Sequence, residues 1–172
     1  MGILEKLRPQ PRWKHADPAV RAAAVYELGP DDADALRALA REDADARVRR
    51  TAVARIDDPT VIADVARTDP DEDVRTEALR NLAGLGAETA DVSRASEVVR
   101  HLLALGRSKE AVLIVRENTH QYVRSALVPL FDEPRSLGSI SRHAADTDTR
   151  LAALSRIEDR DEVVNVALKS YR

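Results

Sequence analysis

The side chains able to do metal or acid–base chemistry in this chain are thinly spread. Its four histidines, His15, His101, His120 and His143, include no pair at the spacing that sets two imidazoles on one helical face, so they do not describe a zinc site. There is no cysteine, which excludes thiolate ligands, disulfides and a cysteine nucleophile, and fits a reducing cytoplasm. The sequence contains neither a glycine-rich phosphate loop nor a serine nucleophile elbow. Carboxylates number 30, so any catalytic pair is hidden among turn and surface acids. What does recur is an arginine beside an apolar residue: Val20-Arg21, Val48-Arg49, Val74-Arg75, Val99-Arg100 and Val123-Arg124, with Thr149-Arg150 in the next expected place. The chemistry open to such an arginine is charge-assisted hydrogen bonding, its planar fork of donors reaching a carboxylate or carbonyls of a neighbouring turn.

The elements that must position these arginines follow from the same recurrence. A period of about two dozen residues lies in the range where self-similarity means stacked structural units. After each pair the apolar residues continue at helical spacing, as in Val48, Ala52, Val53 and Ile56, or Val74, Ala78, Leu79 and Leu82, or Ala153, Leu154 and Ile157. The acid three places before the valine position (Asp17, Asp45, Asp71, Asp146) suits a helix N-cap, and Pro18 suits a first helical position. Shorter amphipathic segments lie between, beginning at Asp32, Pro59, Lys109, Ser136 and Asp161, so each unit is predicted to be a helical hairpin. Neither member buries its stripe alone; neighbouring hairpins must stack into a continuous ribbon of core, and abundant alanine allows close packing. The stretch 84–107 fits poorly. Its first helix would be squeezed into AETADVS, which predicts a distorted unit or one long helix. Pro129 should end or kink the helix that contains it.

A short helix, an Asp-containing turn, then Val-Arg opening a second helix with Ala and Leu beyond resembles HEAT repeats of the short type also found in phycobilisome lyases. The resemblance runs from about Asp17 onward, is strong in the first three units and weak over 84–107. It implies an all-α, right-handed α-solenoid of five to six stacked hairpins, with residues 1–16 as an N-terminal arm or cap and 17–172 as one solenoid domain. In that family a turn aspartate and the arginine six residues later form a ladder between repeats. Asp43 with Arg49 and Asp69 with Arg75 match both positions, whereas Arg21, Arg100, Arg124 and Arg150 have His15, Arg94, Asn118 and Ala144 where the acid should stand. The resemblance further implies second helices lining a concave face that binds another macromolecule.

With 27 basic and 30 acidic residues the net charge is -3, and there is no global field to draw the chain onto nucleic acid or an anionic membrane. No apolar run approaches a membrane span. Iron-binding HEAT-type hydroxylases use His-Glu dipeptides, and here each histidine is followed by Ala, Leu or Gln. HEAT-like DNA glycosylases need a basic groove with aromatics. The five aromatics here, Trp13, Tyr26, Tyr122, Phe131 and Tyr171, do not cluster, and the basic arm from Lys6 to His15 is the only locally basic run. The leading expectation is therefore a non-catalytic protein-binding scaffold in the cytoplasm, with no cofactor, metal or catalytic residue assigned. A glycosylase-related nucleic-acid binder is the runner-up, and a phycobilin-lyase-like enzyme or chaperone the third. Counting from the valine, the outward arc of the second helices selects Tyr26, Arg50, Thr51, Thr76, Glu77 and Arg80 as contact residues, with Tyr and Arg favoured as binding anchors. Trp13 is expected to fold over the first hairpin. The last helix, DEVVNVALKSYR, carries an apolar stripe with no Val-Arg helix after it. It is expected to continue into a further unit of a longer protein or to self-associate through Val164 and Ala167, with Tyr171 as partial cover the simpler alternative.

Overall fold

The structure, a computed structural model, describes residues 10–169. Residues 6–9 of the basic arm, and Tyr171 as cover for the last helix, lie outside the described residues. Within them the chain is all-helical: α1 (Pro18–Val25), α2 (Ala33–Glu42), α3 (Ala46–Val53), α4 (Pro59–Thr68), α5 (Glu72–Glu88), α6 (Val92–Ala104), α7 (Ser108–Glu117), α8 (Gln121–Leu127), α9 (Pro134–His143), α10 (Thr147–Leu154) and α11 (Arg160–Lys169). None of the described helices is long and apolar enough to cross a membrane.

Local chemistry accounts for where the helices start. The Asp17 carboxylate accepts from Ala19 N at 2.8 Å, Asp45 from Arg47 N at 2.8 Å, Asp71 from Asp73 N at 2.9 Å and Asp146 from Thr149 N at 2.8 Å. Each satisfies amides that have no partner inside the helix, at about 1 kcal/mol per cap. Asp58 and Asp91 do the same for α4 and α6. Pro129 ends α8, whose chain passes into a 3-10 turn over Val128–Leu130.

Two compact units divide the chain, residues 1–78 and 79–172, with the boundary inside α5. In the first, α1 and α2 both pack on α3, and α2 also packs on α4. Its core is built from Val25, Val48, Ala52, Val53, Ile62 and Val74, all fully buried. In the second, α6, α7 and α8 pack on one another, α7 packs on α9 and α8 on α10, and α9 also contacts α10 and α11. Leu82, Val98, Leu102, Leu127 and Ile140 are among its fully buried side chains. Each such aliphatic contributes about 1.5–3 kcal/mol of burial.

The irregular stretch resolves in an instructive way. There is no separate helix in AETADVS: α5 runs for 17 residues through Glu88, and Thr89 to Asp91 form the turn into α6. A Cβ on Gly86 would lie 2.6 Å from Ile114 Cδ1 and 2.8 Å from Val98 Cγ1, so this glycine lets α5 approach α6 and α7 closely. Gly106, with φ 71°, closes α6 in the left-handed conformation and turns the chain into α7.

Candidate functional site

The recurrent arginines act as ties between turns. Arg21 donates from Nε and Nη2 to the two oxygens of Asp43, at 2.7 and 2.8 Å, while its Nη1 binds the carbonyls of His15 and Ala16. Arg49 repeats this with Asp69, at 2.8 and 2.9 Å, and with the carbonyls of Asp43 and Ala44. Arg75 holds the carbonyls of Asp69 and Pro70, and Arg150 that of Ala144. Each guanidinium thus clamps the turn leading into its own helix, and Arg21 and Arg49 also reach the acid of the following turn.

Burial pushes the Asp43 and Asp69 carboxyls up, but the arginine hydrogen bonds and a backbone amide two residues on outweigh it, holding both below the ordinary aspartate value. Arg21 and Arg49 are raised in return by those same hydrogen bonds. Asp45, outside the tie, is held at about 2 by its hydrogen bond with Arg47.

Three of the expected positions behave differently. Arg100 lies exposed on α6, nine residues past the Asp91 cap, where Arg49 is four past Asp45; the place of the tie arginine in α6 is taken by Ala95, fully buried. Asn118 makes the connection instead, its Nδ2 donating to Gly86 O at 2.9 Å and Thr89 O at 3.0 Å, and its Oδ1 accepting from His120 N at 2.8 Å. Ala144 supplies no carboxylate, and the cap residue Asp146 takes over that role, accepting from Arg124 Nε at 2.8 Å as well as from Thr149. Arg124 also donates to Asn118 O.

The outward residues of the second helices are only partly alike. Tyr26 is 71% exposed at the end of α1, its ring centroid 5.9 Å from the Arg55 guanidinium. Arg55 in turn donates to Val25 O and Leu28 O, gripping the end of α1. Arg50 and Thr76 are exposed, and so is Arg80, which lies in the second unit. Thr51 is half-buried, its hydroxyl donating back to Arg47 O at 2.8 Å, and Glu77 is half-buried too. Trp13, in a 3-10 turn that packs on α1, is half-buried with Lys14 Nζ 4.7 Å from its ring.

Several further tying arginines escape the Val-Arg pattern. Arg156 reaches Phe131 O and Asp132 as Arg55 reaches the end of α1, and the sequence signal is the shared phrase Arg-Ile-acid-Asp at 55–58 and 156–159. Arg142 binds Glu162 at 2.9 Å beneath α11, and Asn165 donates to the second oxygen at 3.1 Å. Among the described residues no three His, Asp or Glu side chains gather at metal-binding distance. No protein-family model, curated protein or solved structure matches the chain.

Proposed function

We propose that the chain is a non-catalytic protein-binding scaffold, its hairpins forming a HEAT-like α-solenoid and its second-helix face carrying the contacts. The observation that carries this is the repetition of one inter-turn tie: Arg21 to Asp43 and Arg49 to Asp69 spend their charges on each other, while Tyr26 and Arg50 on the same helices stay exposed. A scaffold whose repeated charges go to architecture leaves its outward side chains available to select a partner. Tyr26, exposed and with the Arg55 guanidinium 5.9 Å from its ring, offers an aromatic anchor for a partner.

A photo-crosslinking side chain at position 26 or 50 should trap one discrete protein, and Arg50→Glu should abolish the adduct formed from position 26. Duplex DNA bound tightly and with steep salt dependence in a mobility assay would instead support the glycosylase-related alternative.

Self-association through α11 is the second way such a scaffold finds a partner. Val163, Val164 and Leu168 are 38%, 49% and 69% exposed, while the inward side of the helix holds Val166 and Glu162. An antiparallel pair of α11 helices joins these stripes and sets Asp161 of one copy towards Lys169 of the other. Sedimentation velocity should show a dimer that Val164→Glu dissociates; a strictly monomeric chain at high concentration counts against it.

A further inference from the structure

A second set of arginines recurs in the last turn of the first helices: Arg41 in α2, Arg67 in α4, Arg116 in α7 and Arg142 in α9. Arg41 meets Asp64 of α4 at 3.4 Å, and Arg142 meets Glu162 of α11 at 2.9 Å. Those acids stand sixth and third in their helices; in α9, the helix that packs on α7, the same places hold Ser139 and Ser136. Arg116 therefore has no acid opposite it. Its Nε is buried and makes no hydrogen bond, the single such side-chain nitrogen or oxygen among the described residues. An unsatisfied buried donor is unfavourable and uncommon, and it marks Arg116 as the arginine of this set whose carboxylate partner is missing.

Arg116 lines a cleft of about 920 Å³ on the α7 and α9 side of the second unit. Arg107, Lys109 and Arg135 also line it, against Glu110 and Glu133. Glu110 is taken by Arg107 at 2.5 Å; Glu133 accepts from the Ser136 hydroxyl at 2.7 Å but keeps its charge, so it offsets one of Lys109, Arg116 and Arg135 and the cleft keeps a net positive surplus. The positive surplus reaches His143, whose imidazole is held below its ordinary value first by burial and then by Arg116 and Arg142. Val112 and Leu113, the latter 42% exposed, add an apolar strip, and no aromatic side chain is there to stack a base. The volume greatly exceeds one carboxylate or phosphate.

We propose that the α7/α9 cleft binds an acidic, partly apolar peptide segment of a partner protein, one carboxylate pairing end-on with the two terminal nitrogens of the Arg116 guanidinium. This rests on the protein-binding reading above and gives it a partner chemistry at a separate surface. Carboxylate suits the fork of Arg116 through two parallel hydrogen bonds, and the remaining cations attract further acids along the segment.

Fluorescence anisotropy with a fluorescein-labelled peptide of alternating Glu and Leu, against its Gln-Leu counterpart, tests it on the full chain. The Glu-Leu peptide should bind and the Gln-Leu peptide should not. Arg116→Gln should weaken binding at least about tenfold, the loss of a charge-assisted pair. Ser139→Asp supplies an internal carboxylate where α4 has Asp64; it should weaken binding equally while raising the thermal midpoint, which shows that the fold is intact. Ser139→Asn and the distant Arg160→Gln should leave affinity unchanged. Equal binding of the Gln-Leu peptide, wild-type affinity in both Arg116→Gln and Ser139→Asp, or inorganic phosphate or duplex DNA binding more tightly than the peptide would overturn the proposal. The crosslink at position 26 or 50 is read separately, so failure here leaves the second-helix face standing, and failure there does not touch this cleft.

Discussion

The turns at Asp69 and Asn118 perform the same backbone task with different chemistry. At Asp69 an arginine lies between two turns, its Nη1 on the carbonyl of Asp43 and its Nε and Nη2 on the carboxylate. At Asn118 there is no intermediary, and a neutral amide bonds directly to the carbonyls of Gly86 and Thr89. Both side chains also accept the amide two residues on, Asp71 N at 2.9 Å and His120 N at 2.8 Å, which shapes the turn. The difference follows from one position: where α3 has Arg49, α6 has Ala95, and closing the space left by the shorter side chain brings the two turns within reach of an asparagine. A charged tie and a neutral one are therefore interchangeable as connectors but not in how they respond to pH or substitution.

Acid should separate the two kinds most strongly, because it attacks every charged tie at once. Asp43, Asp69, Asp146 and Glu162 all titrate below their ordinary values in the folded chain. A depressed folded value means stability that is complete above the unfolded value, near pH 4, and lost as pH falls through the folded values beneath it. Chemical denaturation from neutral pH downward should show stability falling below about pH 4, with hydrogen exchange at Asp45 N and Asp71 N accelerating before that at His120 N. Unchanged stability across that range would mean the charged ties contribute nothing net.

Removing one partner of the buried pair is the next largest disturbance. Arg49 and Asp69 side chains are only 10% and 4% exposed, so Arg49→Ala strands a buried carboxylate and should cost about 3–5 kcal/mol in urea unfolding. Arg100→Ala, on an exposed arginine, should stay within about 0.5 kcal/mol. Comparable losses at both sites would return Arg100 to the ladder.

Converting the neutral tie to the acid of the repeat pattern gives a third comparison. Asn118→Asp restores the pattern's residue yet faces two carbonyl oxygens with a carboxylate that has lost both donors, so it should destabilise by about 2–3 kcal/mol at neutral pH. Protonation returns one donor, and the deficit should shrink as pH approaches 4, since burial beside acceptors raises this carboxyl in the folded state. A stabilising Asn118→Asp would show that sequence register outranks the observed contacts.

The smallest effect sits in α5 itself. Nothing lies within 4 Å of a Cβ at Gly84, so Gly84→Ala should gain about 0.5–1 kcal/mol from helix propensity and reduced unfolded-state entropy. At Gly86 the same change meets Ile114 and Val98 and should lower the thermal midpoint.

The all-helical character and the helix caps were legible in the sequence because both are local. A cap is an aspartate accepting amides two or three residues away, and an amphipathic stripe is a spacing within one helix; Asp17, Asp45, Asp71 and Asp146, and the burial of Val48, Ala52, Val53 and Ile56, needed nothing distant. The recurrence also announced that arginines would matter. Which acid each arginine meets was settled only by tertiary packing. Asp43 lies 22 residues from Arg21, Asp69 20 from Arg49 and Asp146 22 from Arg124, and these spacings take effect only once helices stack and turns come level. The sequence matched Val99-Arg100 to the pattern, yet the Asp91 cap sets the phase of α6 and leaves Arg100 facing solvent. Arg116 is the clearest case: in sequence it repeats Arg41 and Arg142, and only the packing of α7 on α9 reveals that serines stand where an acid would have met it. Local hydrogen bonds are written in neighbouring letters, whereas a charge's partner is chosen by whichever surface packs against it.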